Sequence, residues 1–135
     1  ACTSNFMQIL AERFVSGHYL EPYLEFLRGE YRSRKNLLQE ALVKYMPPEV
    51  CWTEPKGGFY CWLRFPSEIS STDVFRECLQ KGVVFVTGRT FDPYNVKDDR
   101  IRLSFSNMPK KDIEPGIKIL ADVLQRQLTS VGFVQ

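Results

Sequence analysis

The sequence predicts an α+β domain: a two-layer sandwich with a small, mostly antiparallel sheet, helices on one side, and a long helix near the N-terminus. Three observations predict it. Apolar residues recur at three- and four-residue spacing in four segments. They alternate in two others, residues 58–65 and 100–106, and the links between strand segments are short. A helical stripe and one face of a strand must each bury against another element, whereas an antiparallel sheet can leave its second face open.

The first helix reads over residues 6–17, from Phe6, Ile9, Leu10 and Phe14, with Gly17 ending it. The long helix follows. Pro22 suits its first turn, where a missing N–H costs nothing. Leu20, Leu24, Leu27, Tyr31, Leu38, Leu42 and Tyr45 form its stripe, Glu30–Arg34 and Glu40–Lys44 are favourable i,i+4 pairs, and Pro47-Pro48 stop it. The basic cluster from Arg28 to Lys35 reads as a solvated helix face. Val50–Thr53 is a short strand. Gly58–Phe65 is a strong one, with Phe59, Cys61, Leu63 and Phe65 on one face and Tyr60, Trp62 and Arg64 on the other.

Ser70 or Ser71 caps a third helix running to Lys81, with Val74, Phe75, Cys78 and Leu79 inward and Gly82 at its exit. Val83–Val86 reads as a buried strand, and residues 88–99 as a polar, turn-rich loop. Arg100–Ser106 alternates, with Ile101, Leu103 and Phe105 opposite Arg100, Arg102, Ser104 and Ser106. The last helix carries Ile113, Ile117, Leu120, Leu124 and Leu128. Its Pro115 places the start near Lys111 or Asp112, and fraying is expected from Thr129.

Composition bounds the function. The chain has 135 residues, 44% hydrophobic and 25% charged, which suits one domain with its own core. A net charge of +2 offers no electrostatic case for nucleic acid or an anionic membrane, and no run of 18 apolar residues exists. No nucleic-acid or membrane partner is therefore expected. The first eight residues lack the pattern of a signal peptide, and a start at Ala1 suggests a piece of something longer. Cys2, Cys51, Cys61 and Cys78 lack paired metal-ligand spacing, and His18 is the single histidine, so neither a zinc site nor a Cys-His nucleophile is expected. Cys61 and Cys78 read as buried free thiols, which points to the cytoplasm.

Three segments stand out in order: Pro55-Lys56-Gly57-Gly58-Phe59-Tyr60-Cys61-Trp62-Leu63, then the run from Gly82 to Phe91, then Arg100-Ile101-Arg102-Leu103-Ser104-Phe105-Ser106 before the last helix. Together they resemble the C-terminal small domain of the fold-type I, pyridoxal-phosphate-dependent aminotransferases of class I/II. The segments Phe14–Tyr19 and Tyr31–Lys35 look like the 2-aminoadipate and multi-substrate branch, and the aminotransferase-like domains of winged-helix regulators look similar.

The resemblance implies a parent that moves an amino group between an amino acid and a 2-oxo acid. Arg102 matches the arginine that binds the substrate α-carboxylate. A guanidinium on a rigid strand, pointing away from the core, is also physically suited to a two-bonded grip. Gly57 and Gly58 read mainly as a turn that starts the strand; the resemblance also places their loop near the substrate side chain. Thr87-Gly88 stands where the family has Pro-Gly, which puts the loop's rigidity in question. Arg100 reads as a surface charge beside Asp98-Asp99, and Tyr60 and Trp62 as a docking surface for a further domain.

No lysine here matches the family's cofactor lysine. The resemblance therefore implies that the large domain, with pyridoxal phosphate and the residues that hold it, lies outside this chain. The chain alone is expected neither to bind the cofactor tightly nor to transaminate. The full-length protein is expected to be a homodimer. A winged-helix regulator using the same domain for an effector is the alternative. A small RNA-binding module is a further one, because residues from Gly58 on read β-α-β-β-α and Lys56–Tyr60 echoes an aromatic strand motif, though on the wrong strand.

Overall fold

A computed structural model of the chain describes residues 3–94, 96 and 98–132. It divides into two compact units, Ala1–Ser33 and Arg34–Gln135. In chain order the elements are α1 (Asn5–Ser16), α2 (Leu20–Tyr45), β1 (Cys51–Trp52), β2 (Tyr60–Arg64), α3 (Ser71–Gln80), β3 (Val86–Thr87), a 3-10 turn (Gly88–Phe91), β4 (Arg100–Ser104) and α4 (Lys110–Ser130).

In the first unit α1 forms where its pattern predicts, but none of its residues is buried. Phe6, Ile9, Leu10 and Phe14 all remain exposed, so this stripe is not a core face. His18 makes the turn into α2 at φ 59°, a left-handed conformation few non-glycine residues adopt. The rings of Phe14, Tyr19, Tyr23 and Phe26 form a chain of contacts with centroids 6.1 to 6.4 Å apart.

The second unit holds the sheet. Its order is β1-β2-β4-β3, with every neighbouring pair antiparallel. The central pairing sets Tyr60 opposite Ser104, Cys61 opposite Leu103, Trp62 opposite Arg102, Leu63 opposite Ile101 and Arg64 opposite Arg100. Side chains alternate across a strand, so this register puts Cys61, Leu63, Ile101 and Leu103 on one face. That face is buried in one cluster with Leu38 and Leu42 of α2, Val74 and Cys78 of α3, and Ile113, Ile117, Leu120, Leu124 and Leu128 of α4. The helices thus cover one side, as the sequence predicts.

Several details differ from expectation. Phe59 is exposed, not on the core face. Pairing begins only at Tyr60, and Gly58 turns the chain at φ 75° just before it. Leu79 also faces out, because α3 buries only Ser71, Val74 and Cys78. Only Val86 and Thr87 of the third strand segment pair, so Val83–Phe85 is not strand. Helix α4 starts at Lys110 and runs to Ser130, earlier and longer than predicted. Pro115 lies inside it, and the carbonyl it leaves without a partner belongs to the exposed Lys111, where water can serve it. Lys44 bonds Glu114 of α4 at 2.9 Å, a link between helices rather than the predicted pairing along α2.

Ser70 caps α3, its hydroxyl accepting from the Asp73 N–H at 3.3 Å. The hydroxyls of Ser70 (2.6 Å) and Ser71 donate to the Asp98 carboxylate, and the Ser71 N–H donates to the Asp98 carbonyl at 2.7 Å. Asp98 thereby ties the approach to β4 to the start of α3. Burial would raise its pKa, but the hydroxyl and amide donors outweigh that and hold it below the usual carboxylate range.

Cys51, Cys61 and Cys78 are free thiols, the last two buried, as predicted. Burial and the neighbouring Glu77 push the Cys78 thiol up to about 11. Cys2 lies outside the described residues. Among the described residues no helix is long and apolar enough to cross a membrane, and no group of three or more His, Cys, Asp or Glu is placed to hold a metal ion.

Candidate functional site

The sheet face opposite the core carries Tyr60, Trp62 and Arg64 from β2 and Arg100 and Arg102 from β4. Arg102 stands near its centre, between Trp62 on one neighbouring strand and Val86 on the other. Strand backbone on both sides fixes its Cα, so the side chain starts from a rigid base.

Two rings hold its head. The guanidinium carbon lies 3.9 Å from the centre of the Tyr60 ring and 4.4 Å from that of Phe91. Trp62 meets Phe91 edge-on at 5.4 Å and 76°. A guanidinium over aromatic faces is attracted by the ring quadrupole, more strongly as water is excluded. Arg102 Nε is buried and has no hydrogen-bond partner. A buried donor left unmade costs about 1–3 kcal/mol. Arg102 therefore combines a fixed position, a partly dry environment and an unmet demand for an acceptor.

Arg100, two residues away on the same face, is occupied. Its Nε donates to Asp99 Oδ1 at 2.8 Å and an Nη to Oδ2 at 3.4 Å. The Arg100 hydrogen bond holds the Asp99 carboxyl below the usual range. Arg100 thus lies beside Asp99, as the sequence suggests, but it is half-buried and paired rather than a plain surface charge.

The turn that delivers Phe91 depends on Gly88. A Cβ built there would lie 2.0 Å from Arg100 Cγ and 2.9 Å from the Arg100 carbonyl oxygen, so only glycine lets the turn pack this closely on β4. Thr87 holds φ −70°, a value a proline ring also adopts, so the backbone here is compatible with proline as well as threonine. The hydroxyls of Thr87 and Thr90 lie 3.4 Å apart across the turn. Beyond it the Asp92 carboxylate accepts from the N–H groups of Tyr94 (3.1 Å) and Val96 (2.9 Å). A cavity of about 460 Å³ beside this turn is lined by Trp62, Gly88, Phe91, Asp92, Pro93 and Arg100.

Gly57 and Gly58 are exposed, and a Cβ at either would meet nothing within 4 Å. The positive φ of Gly58 accounts for the pair as a turn. The sequence reading picked out Arg102, Tyr60 and Trp62 but gave Phe91 no role. Its one signal was its place three residues after Gly88, in a segment with no periodicity to read.

Comparison with known proteins agrees with this architecture. The aminotransferase class I and II family matches residues 1–120. The chain is 32% identical over 127 residues to the aromatic-amino-acid aminotransferase 1 of Thermococcus litoralis, covering 94% of this chain and 30% of that protein. It superposes on the multiple substrate aminotransferase of Thermococcus profundus with a TM-score of 0.91 at 30% identity, over 96% of this chain and 32% of that one. It is also 31% identical over 110 residues to an uncharacterised HTH-type transcriptional regulator of Bacillus subtilis, covering 82% of this chain and 22% of the regulator. The chain thus spans about a third or less of the length of the proteins it matches. Its sheet, its unpaired strand arginine and its match over residues 1–120 have one consequence: the chain belongs to the class I and II aminotransferase family.

Proposed function

We propose that this chain is the part of a pyridoxal-phosphate-dependent aminotransferase that grips the α-carboxylate of an amino acid or 2-oxo acid substrate through Arg102. The observation that carries the reading is the Arg102 head, set over the Tyr60 and Phe91 rings with its Nε–H lacking an acceptor. A carboxylate arriving in the guanidinium plane accepts from two of its N–H groups at once, in parallel charge-assisted bonds. Such a grip fixes both the position of the substrate and its rotation about the bond from Cα to the carboxylate. The rest of the molecule then reacts at a Cα held in one orientation.

The residues present do not fit pyridoxal phosphate itself. Lys44 is exposed and paired with Glu114; Lys56, Lys81, Lys110, Lys111 and Lys118 are exposed, and Lys35 on α2 is only half-buried. Among the described residues no enclosed amine is available to hold an aldehyde. In this reading the cofactor, its lysine and its phosphate cup belong to sequence outside this chain, and the whole protein works as a cytoplasmic homodimer. Gly57 and Gly58 set the start of β2 and, in that assembly, the loop beside the substrate side chain.

Replacing Arg102 by Ala in the full-length protein tests the proposal. Losing one partner of a desolvated charge pair costs about 2–5 kcal/mol, so KM for the amino acid should rise about thirty- to four-thousandfold. An unchanged KM removes Arg102 from the carboxylate role.

The match to an HTH-type regulator favours one second reading, in which the same arginine holds an amino-acid effector of a DNA-binding protein. Amino-group transfer by the full-length protein supports the enzyme. Amino-acid-dependent DNA binding without transfer supports the regulator.

A further inference from the structure

We infer that Phe91 and Tyr60 form an aromatic clamp that positions Arg102 for carboxylate capture; this rests on the carboxylate role of Arg102 proposed above. The two rings sit differently in the fold. Tyr60 projects from β2, in the register that pairs it with Ser104, so its ring is anchored by the sheet. Phe91 ends the 3-10 turn after β3 and reaches the guanidinium from the loop side. Its other neighbour is the edge of Trp62, itself directly opposite Arg102. The turn is seated by the close packing of Gly88 on Arg100.

The chemistry of a guanidinium explains what a clamp achieves. Its faces are weakly hydrated and stack on rings, while its N–H donors point outward in the molecular plane. Rings over the faces fix the plane and displace water without consuming a donor. Only in-plane directions remain polar, and the Nε–H lies in them without an acceptor. A ligand that offers two oxygens in that plane satisfies it, whereas a neutral amide offers one oxygen and brings donors of its own. The clamp therefore selects for a carboxylate. A free arginine side chain carries large rotamer entropy, and holding it beforehand spares substrate binding that cost.

Of the acids near this face, Asp99 is spent on Arg100, and the Asp92 carboxylate accepts from the N–H groups of Tyr94 and Val96. Tyr60 and Phe91 are 43% and 45% exposed, so they are not core residues whose loss would unfold the domain.

The test uses the full-length protein with L-phenylalanine, L-leucine, L-glutamate and L-2-aminoadipate as amino donors, and L-phenylalaninamide and L-leucinamide as carboxylate-free competitors. Phe91→Leu keeps apolar bulk and removes the ring. KM for each donor turned over should rise about five- to thirtyfold, with kcat changed less than threefold and the amide inhibition constants unmoved. Phe91→Tyr should restore KM to within about twofold, and Tyr60→Leu should behave like Phe91→Leu. Three results overturn the clamp: an unchanged KM in both Leu variants, an equal weakening of donors and amides, or a fall in kcat alone. If Arg102→Ala weakens donors while Phe91→Leu does not, only the clamp fails. If Arg102→Ala changes nothing, or no donor is turned over, the reading beneath it fails as well.

Discussion

The two faces of one small sheet follow opposite rules. On the helix-covered face Cys61, Leu63 and Ile101 are fully buried and Leu103 nearly so, and none of the four carries a charge. On the open face the same strands present three arginines and two aromatic rings, with a buried donor left without an acceptor. Two of those arginines, Arg64 and Arg100, stand directly opposite each other, an arrangement that is destabilising on its own. The covered face settles which fold forms. The open face carries costs that, in the proposed reading, a bound carboxylate offsets. Residue pairs one position apart, Ile101 and Arg102 or Leu63 and Trp62, thus belong to different problems.

The sharpest way to break the comparison is to change one residue on each face. Leu63→Ala removes a fully buried side chain and should cost about 2–5 kcal/mol in the stability of this unit, read as a lower denaturant midpoint. Arg102→Met should do the reverse. It replaces an unsatisfied buried donor with an apolar chain of similar length, so stability should hold or rise slightly while carboxylate binding is lost. A large stability loss in Arg102→Met would mean that the open face also builds the fold.

Gly88→Ala sharpens the boundary between the faces. The added Cβ must displace Arg100 and its carbonyl, so the 3-10 turn should lift from β4 at a cost of about 1–3 kcal/mol. The lifted turn carries Phe91 with it, and substrate KM should rise by a factor similar to that of Phe91→Leu. A stability loss with KM intact would show that Phe91 finds Arg102 without the turn's seating.

The two faces were also unequally legible in the sequence. Alternation over 100–106 placed Ile101 and Leu103 inside and Arg102 outside, because a period of two admits only that division once one face is buried. The capping of α3 at Ser70 or Ser71 and the stop of α2 at Pro47-Pro48 were equally readable, since each rests on local chemistry. Phe59 and Leu79 were misplaced for the converse reason. Periodicity assigns a face to every residue of a run, but pairing starts only after the Gly58 turn, and the buried stripe of α3 is narrower than its apolar stripe. Phe91 could not be read at all. Its position depends on how a 3-10 turn folds back over the sheet, and that depends on a glycine fitting against an arginine from the next strand. The hub at Asp98 was hidden similarly, because its partners are 26 to 28 residues away.

That hub supplies the smallest effect, and one that acts on the covered face from its edge. Asp98 and Asp99 both have folded-state pKa values below their unfolded ones. A depressed carboxylate contributes stability that is fully present above its unfolded pKa, about 3.9, and is lost as pH falls through the folded value. Stability should therefore be level from about pH 7 to pH 5 on this account and decline below about pH 4. Asp98→Asn removes the charge that the Ser70 and Ser71 hydroxyls and the Thr72 amide stabilise, so it should lower the urea midpoint at pH 7 and flatten the acid decline. The remaining slope belongs to the other depressed carboxylates, Asp99 with Arg100 on the open face and Glu114 with Lys44 and Tyr45. Urea midpoints of both proteins at pH 7, 5, 4 and 3 separate Asp98 from the others. Parallel curves would mean that the hydroxyl cage serves Asp98 as well when neutral as when charged, and the anchoring of β4 to α3 would then be a matter of shape rather than charge.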